Sequence, residues 1–326
     1  MKSHKKIVVI GGGTGSFMML SGLKKYCANL TALVSMADDG GSTGILRDEL
    51  GVLPPGDVRQ CLIALARSPK MRQLFDYRFA EGDLKGHSFG NLFLTAVEKM
   101  TNNFSEAVDL ASEVLNIAGK VVPVTLDNVK LVVLREGGRS IVGEHNIEQH
   151  RLQGGQPSLR LEPAARLNPL AKVAIQEADL IVIAPGSLYS SIGAALATHG
   201  MAEALRASSA KKAYVCNLTT KPGHSDGFQV HDFANLIEHF MGDGNHLDYV
   251  LYNDSKPSDT LLKQYAQEGS QWVAFDETAL AEARYQPVGG RFVSDKPWHS
   301  TTKVDLLPRT LIRHDSDAVA KRLINL

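Results

Sequence analysis

The chain has 326 residues, 44% apolar, 21% charged and 6% aromatic, enough apolar material for one large or two modest globular domains. Lys plus Arg equals Asp plus Glu at 35 each, so the net charge is zero and no basic field exists to hold nucleic acid or an anionic membrane. A ligand must therefore be bound locally, and a small one fits better than a polyanion. Cys27, Cys61 and Cys216 are scattered without metal-ligand spacing, as expected of buried thiols in a reducing compartment, so a cytoplasmic protein is expected. The apolar run after the basic start at Met1 to Lys6 is too short for a signal segment, and no window reaches membrane-spanning length without charges or glycines.

Ile7 to Ile10 read as a strand buried on both faces, and Phe17, Leu20 and Leu23 then recur at helical spacing. Between them lies the turn Gly11-Gly12-Gly13-Thr14-Gly15-Ser16. A strand that stops on glycines and restarts as a helix gathers unpaired N–H groups and the positive end of a helix dipole, which predicts a phosphate cradle. No Lys follows the glycines, which excludes a Walker A loop. Gly11 and Gly13 fit the dinucleotide fingerprint, but its third glycine place holds Ser16, so that match is partial.

Leu30 to Met36 is a second strand, ending on Asp38-Asp39-Gly40-Gly41-Ser42-Thr43-Gly44. In an open parallel sheet this loop lies beside the first. Asp57 is placed to cap a helix over Val58 to Ala66, and helical spacing continues through Met71 to Phe79, Phe89 to Met100 and Phe104 to Ile117. Residues 121–165 switch to β-branched alternation around Asp127-Asn128 and Gly137-Gly138, which predicts an inserted patch of antiparallel hairpins within a single domain spanning 1–326.

The second half returns to parallel α/β grammar. Strands at Asp179 to Ala184, Ala213 to Cys216 and Asp248 to Tyr252 alternate with helices at Tyr189 to Arg206, Val230 to Phe240 and Leu261 to Gln267. Every strand ends in polar, glycine-containing sequence on one side, the rim that binds ligands in such folds. The fold expected is thus a Rossmann-like, doubly wound, mostly parallel sheet with a helical stretch and a small antiparallel patch.

Several polar groups compete for roles at that rim. Asp38 and Asp39 could bind ribose, hold Mg²⁺ or cap the next turn. Gly186, Ser187 and Ser190 open a helix and offer a second anion site, or Ser187 is a plain cap. Lys221, His224 and Asp226 occupy a loop too long for a simple connection. His87 and Asn91 could line the rim, with Ser88 as the competing cap. Arg313 could clamp a pyrophosphate or belong to an exposed charge cluster, and Tyr265 could stack on a base or pack.

Taken together, Gly11-Gly12-Gly13-Thr14-Gly15, Asp38-Asp39-Gly40-Gly41-Ser42-Thr43-Gly44, Pro54-Pro55-Gly56-Asp57, Gly86-His87-Ser88-Phe89-Gly90-Asn91 and Ala184-Pro185-Gly186-Ser187-Leu188-Tyr189-Ser190-Ser191 resemble the YvcK-type members of the CofD/YvcK family, often named gluconeogenesis factors. The resemblance spans nearly the whole chain. It implies a dimeric, cytoplasmic bacterial regulator of carbon flow into cell-wall precursors and cell shape that binds UDP-sugars such as UDP-N-acetylglucosamine, with a regulatory partner in amino-sugar synthesis. The CofD branch implies instead a 2-phospho-L-lactate transferase of coenzyme F420 synthesis, from which the Asp38 to Ser42 loop departs.

On the sensor reading, Gly11 to Ser16 and Ser187 hold a diphosphate, Asp38 or Asp39 takes ribose hydroxyls or a metal beside Ser42 and Thr43, and Asn217, Thr219 and Lys221 frame the sugar. The enzyme reading is a Mg²⁺-dependent phospho-group transferase, with Asp38 and Asp39 on the metal and Arg313 or Lys221 neutralising the leaving diphosphate. The third reading, an NAD-dependent oxidoreductase, lacks any hydride-site His or Tyr-Lys pair.

Overall fold

Ile7 to Ile10 have no polar face to show to water, and the fold gives them none. The structure, a computed structural model, describes residues 2–135, 140–152, 157–258, 262, 266, 269–294 and 313–326. In it β1 (Ser3–Gly11) lies in the middle of a seven-stranded sheet and all four residues are buried. On one side stand β2 (Cys27–Val34) and β3 (Lys120–Pro123). On the other follow β7 (Leu180–Ile183), β8 (Lys211–Val215), β9 (Tyr249–Asn253) and β10 (Gln286–Gly290). Every pairing in the sheet is parallel, with Ile10 opposite Leu33 on one flank and Ile183 on the other.

The order 3-2-1-7-8-9-10 reverses direction at the β1/β7 seam. That seam is the topological switch point at which open α/β sheets form their crevice. The expected doubly wound architecture is present, and the carboxyl ends of all seven strands share one edge. A continuous buried apolar cluster surrounds the sheet. One packed group of helices contains α1 (Gly13–Leu23), α2 (Gly41–Leu50), α3 (Gly56–Leu65), α4 (Pro69–Asp76), α5 (Phe89–Thr101) and α6 (Phe104–Leu115), with the C-terminal α13 (Ser316–Ile324) docked on α1. Gly22 makes that docking possible, since a β-carbon there would overlap the Ser316 carbonyl oxygen.

The inserted patch differs in detail from the expectation. Val121 and Val122 do not start a hairpin. They pair in parallel with Ala32 and Leu33 of β2, making β3 an edge strand of the main sheet. A β-branched run suits either ladder, and here the preceding α6 supplies the crossover that a parallel strand needs. The antiparallel patch is β4 (Lys130–Leu134) between β5 (Ser140–Val142) and β6 (Ser158–Glu162). It carries a short helix, α7 (Glu144–Gln149), before α8 (Pro169–Gln176) leads into β7.

The long helix expected over Tyr189 to Arg206 is broken. A π-helical turn, Leu188–Ile192, runs into α9 (Gly193–Leu196), and the chain stops before α10 (Met201–Ala207) at Gly200, whose φ of 93° is left-handed. Beyond it lie α11 (Val230–Met241) and α12 (Glu277–Glu282). Most of the helix expected at 261–267, including Tyr265, lies outside the described residues.

Candidate functional site

The crevice lies where β1, β2 and β7 end, and three loops meet there. In the first, Gly15 rests on the next loop so tightly that a β-carbon would overlap the Pro185 carbonyl oxygen. A β-carbon at Gly12 would likewise overlap Asp57 Oδ2. The backbone N–H of Gly13 donates to the Asp57 carboxylate. This corrects two expectations at once. Asp57 does not cap its helix, because α3 begins at Gly56 with Pro55 in the cap position and no side-chain bond. Gly11 to Ser16 is not a set of bare amides either, since the protein's own carboxylate already lies on the turn. On either side of it, the buried hydroxyls of Ser16 and Ser191 have no hydrogen-bond partner among the described residues.

In the second loop the two neighbouring acids take different roles. Asp38 accepts from Gly40 N at 2.9 Å and from the Thr43 hydroxyl, facing inward. Asp39 accepts from His145 N at 2.7 Å and so fixes the first turn of α7. Ser42 pairs with His87 Nδ1 at 2.9 Å and accepts from Asn91 Nδ2 at 3.2 Å. Asn91 is itself held by the buried Arg59, whose Nε donates to Asn91 Oδ1 at 2.9 Å. Ser88 does cap α5, accepting from Asn91 N.

The third loop meets α7. Ser187 and Ser190 both donate to Glu148 Oε1, the latter at 2.6 Å, and Lys221 forms an ion pair with Glu148 Oε2. Ser187 occupies the cap position of the π turn without capping it. Asn217 is spent on the loop itself: Nδ2 donates to the Gly186 carbonyl at 2.8 Å, while Oδ1 accepts from Gly186 N and the Tyr214 hydroxyl. Thr219 forms a β-bridge with Trp272. His224 donates from Nε2 to the His150 carbonyl at 3.0 Å, and Asp226 accepts from Gly223 N at 2.6 Å, so both shape the loop. Arg313 is buried at the far strands, its carbonyl accepting from Ser294 N at 2.8 Å next to His314.

The electrostatics are dominated by acids. Burial first, then the adjacent Asp38 charge, push Asp57 up to about 8. Burial, then Asp39, also raises Asp38, despite the opposing Gly40, Thr43 and Arg47. Glu144 is driven well above the ordinary carboxylate range, by burial and then by Asp38, Asp57 and Asp39. Burial pushes Lys221 down to about 8 and His224 down to about 4. The carboxylates are recessed and not sealed, since Asp38, Asp57 and Glu144 each keep a partly accessible surface.

This donor set fits a hard divalent cation. Carboxylate and hydroxyl oxygens are what Mg²⁺ takes, and a cation would offset the burial and mutual repulsion that raise these acids. No three His, Cys, Asp or Glu side chains among the described residues are gathered closely enough to enclose a metal unaided. Mg²⁺ commonly keeps waters and shares its sphere with substrate phosphates, so a partial set is compatible with it.

Asp57, Glu144 and Glu148 were not among the site residues that sequence patterns suggested. Asp57 stands after Pro54-Pro55-Gly56, which reads as a cap, and α7 has only one apolar residue, Ile147, so it shows no periodicity. The single available signal was two acids four residues apart after a glycine, which would share a helix face.

Fold and site together define an α/β protein of the Rossmann type whose switch-point crevice is lined by glycine loops and crowded by carboxylates. A family model described as 2-phospho-L-lactate transferase CofD matches residues 7–293, and the chain belongs to the CofD/YvcK family. It is 38% identical over 332 residues to the gluconeogenesis factor of Bacillus subtilis, covering 100% of this chain and 99% of that protein. A relative from Clostridium acetobutylicum is 42% identical over 323 residues, 98% of this chain and 69% of the relative. The crystal structure of a UPF0052-family protein from Bacillus halodurans superimposes with a TM-score of 0.89 at 35% identity, covering 99% of this chain and all of that one. No helix among the described residues is long and apolar enough to cross a membrane.

Proposed function

We propose that the chain is a binding regulator for a diphosphonucleoside, of the nucleotide-sugar kind typified by UDP-N-acetylglucosamine, acting in the cytoplasm on carbon flow into cell-wall precursors and hence on cell shape. The name gluconeogenesis factor carried by relatives agrees with a role in carbon metabolism. The observation that carries the reading is the crevice itself, where Asp38, Asp57 and Glu144 crowd together, each raised above the ordinary carboxylate range by burial and by its acidic neighbours, beside the unpaired hydroxyls of Ser16 and Ser191. Buried acids of this kind at a switch point mark a ligand site. With Gly13 N–H taken by Asp57, the diphosphate is held through a divalent cation at Asp38 and Asp57, and Ser187, Ser190 and Lys221 supply direct donors. Ligand occupancy then biases association with a second copy or a partner enzyme of amino-sugar synthesis.

The second reading is a phospho-group transferase resembling the family's 2-phospho-L-lactate enzyme. It is favoured by Asp57, which changes protonation state near neutral pH, a property suited to acid–base work. Titration with UDP-N-acetylglucosamine, a GDP-sugar and NAD, each with and without Mg²⁺, separates the readings. Saturable binding of the UDP-sugar, strengthened by Mg²⁺ and without product, is expected. Product formation would select the transferase, and preference for NAD would overturn both.

A further inference from the structure

Two hydroxyls and an ammonium converging on one point form a donor set suited to a phosphoryl group. In this structure Ser187, Ser190 and Lys221 converge on a carboxylate of the chain itself, Glu148. We propose that these three residues form a phosphoryl seat, that Glu148 is its built-in occupant, and that an anionic ligand enters only by displacing it. This rests on the reading of the crevice as a diphosphate site and adds how that site is regulated.

The construction of α7 supports displacement. A six-residue helix is far below the length at which helices persist unaided, so its place depends on tertiary ties. Those ties are few and mostly polar. Asp39 receives His145 N at the front, His224 holds the His150 carbonyl at the back, Leu152 N donates to the Gly223 carbonyl, and Ile147 is the one buried apolar side chain of the helix. Glu144, on the same face four residues before Glu148, faces the acids Asp38, Asp39 and Asp57, which raise its carboxyl, while a hydrogen bond from the Ser190 hydroxyl lowers it. Against this, Glu148 offers the seat a single negative charge. A phosphoryl group of a diphosphate brings more charge and more acceptor oxygens to the same donors, and the released carboxylate regains water.

If Glu148 were a permanent clamp, its removal would loosen the loop and weaken binding, so the two roles predict opposite signs. The 326-residue chain and its Glu148→Gln and Glu148→Ala variants are titrated with inorganic pyrophosphate by calorimetry, at fixed ionic strength and without divalent cation. Both variants are expected to bind at least about tenfold more tightly than the wild type, and Lys221→Met placed on Glu148→Ala is expected to abolish the gain. Equal or weaker binding by the variants, or no binding by any of the proteins, overturns the proposal. Amide exchange of residues 144–149 in the wild type gives a readout that needs no variant: it is expected to speed up under saturating pyrophosphate, and unchanged or slowed exchange overturns displacement. Parallel titration with UDP-N-acetylglucosamine separates this proposal from the one before it. Saturable and equal binding of that ligand by wild type and Glu148→Gln, with no pyrophosphate gain, keeps the nucleotide reading and rejects the seat, whereas a pyrophosphate gain with no binding of the nucleotide-sugar by either protein keeps the seat and rejects the nucleotide.

Discussion

Asp57 stores electrostatic tension, because burial and the neighbouring Asp38 both oppose its ionisation. Its carboxyl rises from an ordinary value near 4 to about 8 on folding. A group raised in this way adds stability that is complete below the ordinary value and is lost as pH climbs through the folded one. Without ligand, the protein is therefore expected to lose stability between about pH 4 and about pH 8, with a ceiling of ~1.4 kcal/mol per pH unit for this group. Asp57→Asn removes the titrating proton and relieves Asp38 as well. The variant should match the wild type at or below about pH 4 and unfold at higher temperature near pH 8, as thermal scans across that range would record. A variant less stable than the wild type at both ends would refute the account.

At the scale of elements, α13 shows how the far end of the chain supports the first loop. It packs on α1, the helix that follows Gly11 to Gly13, and buries Val319, Ala320 and Leu323. Tyr26 donates to Asp317 at 2.6 Å and Lys5 Nζ reaches the Ile324 carbonyl at 3.1 Å, fastening its two ends. Leu323→Ala should cost about 2–4 kcal/mol, the usual range for emptying a buried leucine site. Denaturant unfolding would measure the loss, and one below about 0.5 kcal/mol would mean that the helix is not a structural support.

What was readable beforehand also divides by element. The strands β1, β7, β8 and β9 declare themselves because runs such as Asp179 to Ala184 are apolar on both faces and stop at polar turns. β10 does not, since Gln286–Gly290 contains a proline, two glycines and a single valine, a composition tolerated only at an edge. α2 stayed hidden because Ile45 and Leu50 face solvent, 47% and 42% exposed, so its apolar stripe is incomplete. The same reasoning covers the crevice. Glycine loops and hydroxyls are local signals, whereas the meeting of Asp57 with Gly13, or of Glu148 with Ser187 and Lys221, is made by tertiary packing between segments far apart in sequence.

At the scale of the whole molecule, the parallel sheet makes the two halves interdependent. β1 has β2 on one flank and β7 on the other, so residues 1–135 alone would leave one edge of an entirely apolar strand open to water. A fragment of residues 1–135 is therefore expected to aggregate or to lack the dispersed amide spectrum of a folded domain, even though it contains the glycine turn and both loop acids. A well-dispersed, monomeric fragment would show that the first three strands are an independent unit.

The pairing of Ile10 with Ile183 carries one more consequence. During synthesis the crevice is not closed until β7 has emerged and paired with β1, a long loop closure of the kind that slows folding. A ligand that needs both sides of the seam can recognise only finished molecules. It would thus retard the rate of unfolding while leaving the rate of folding untouched, which gives the bound form kinetic longevity.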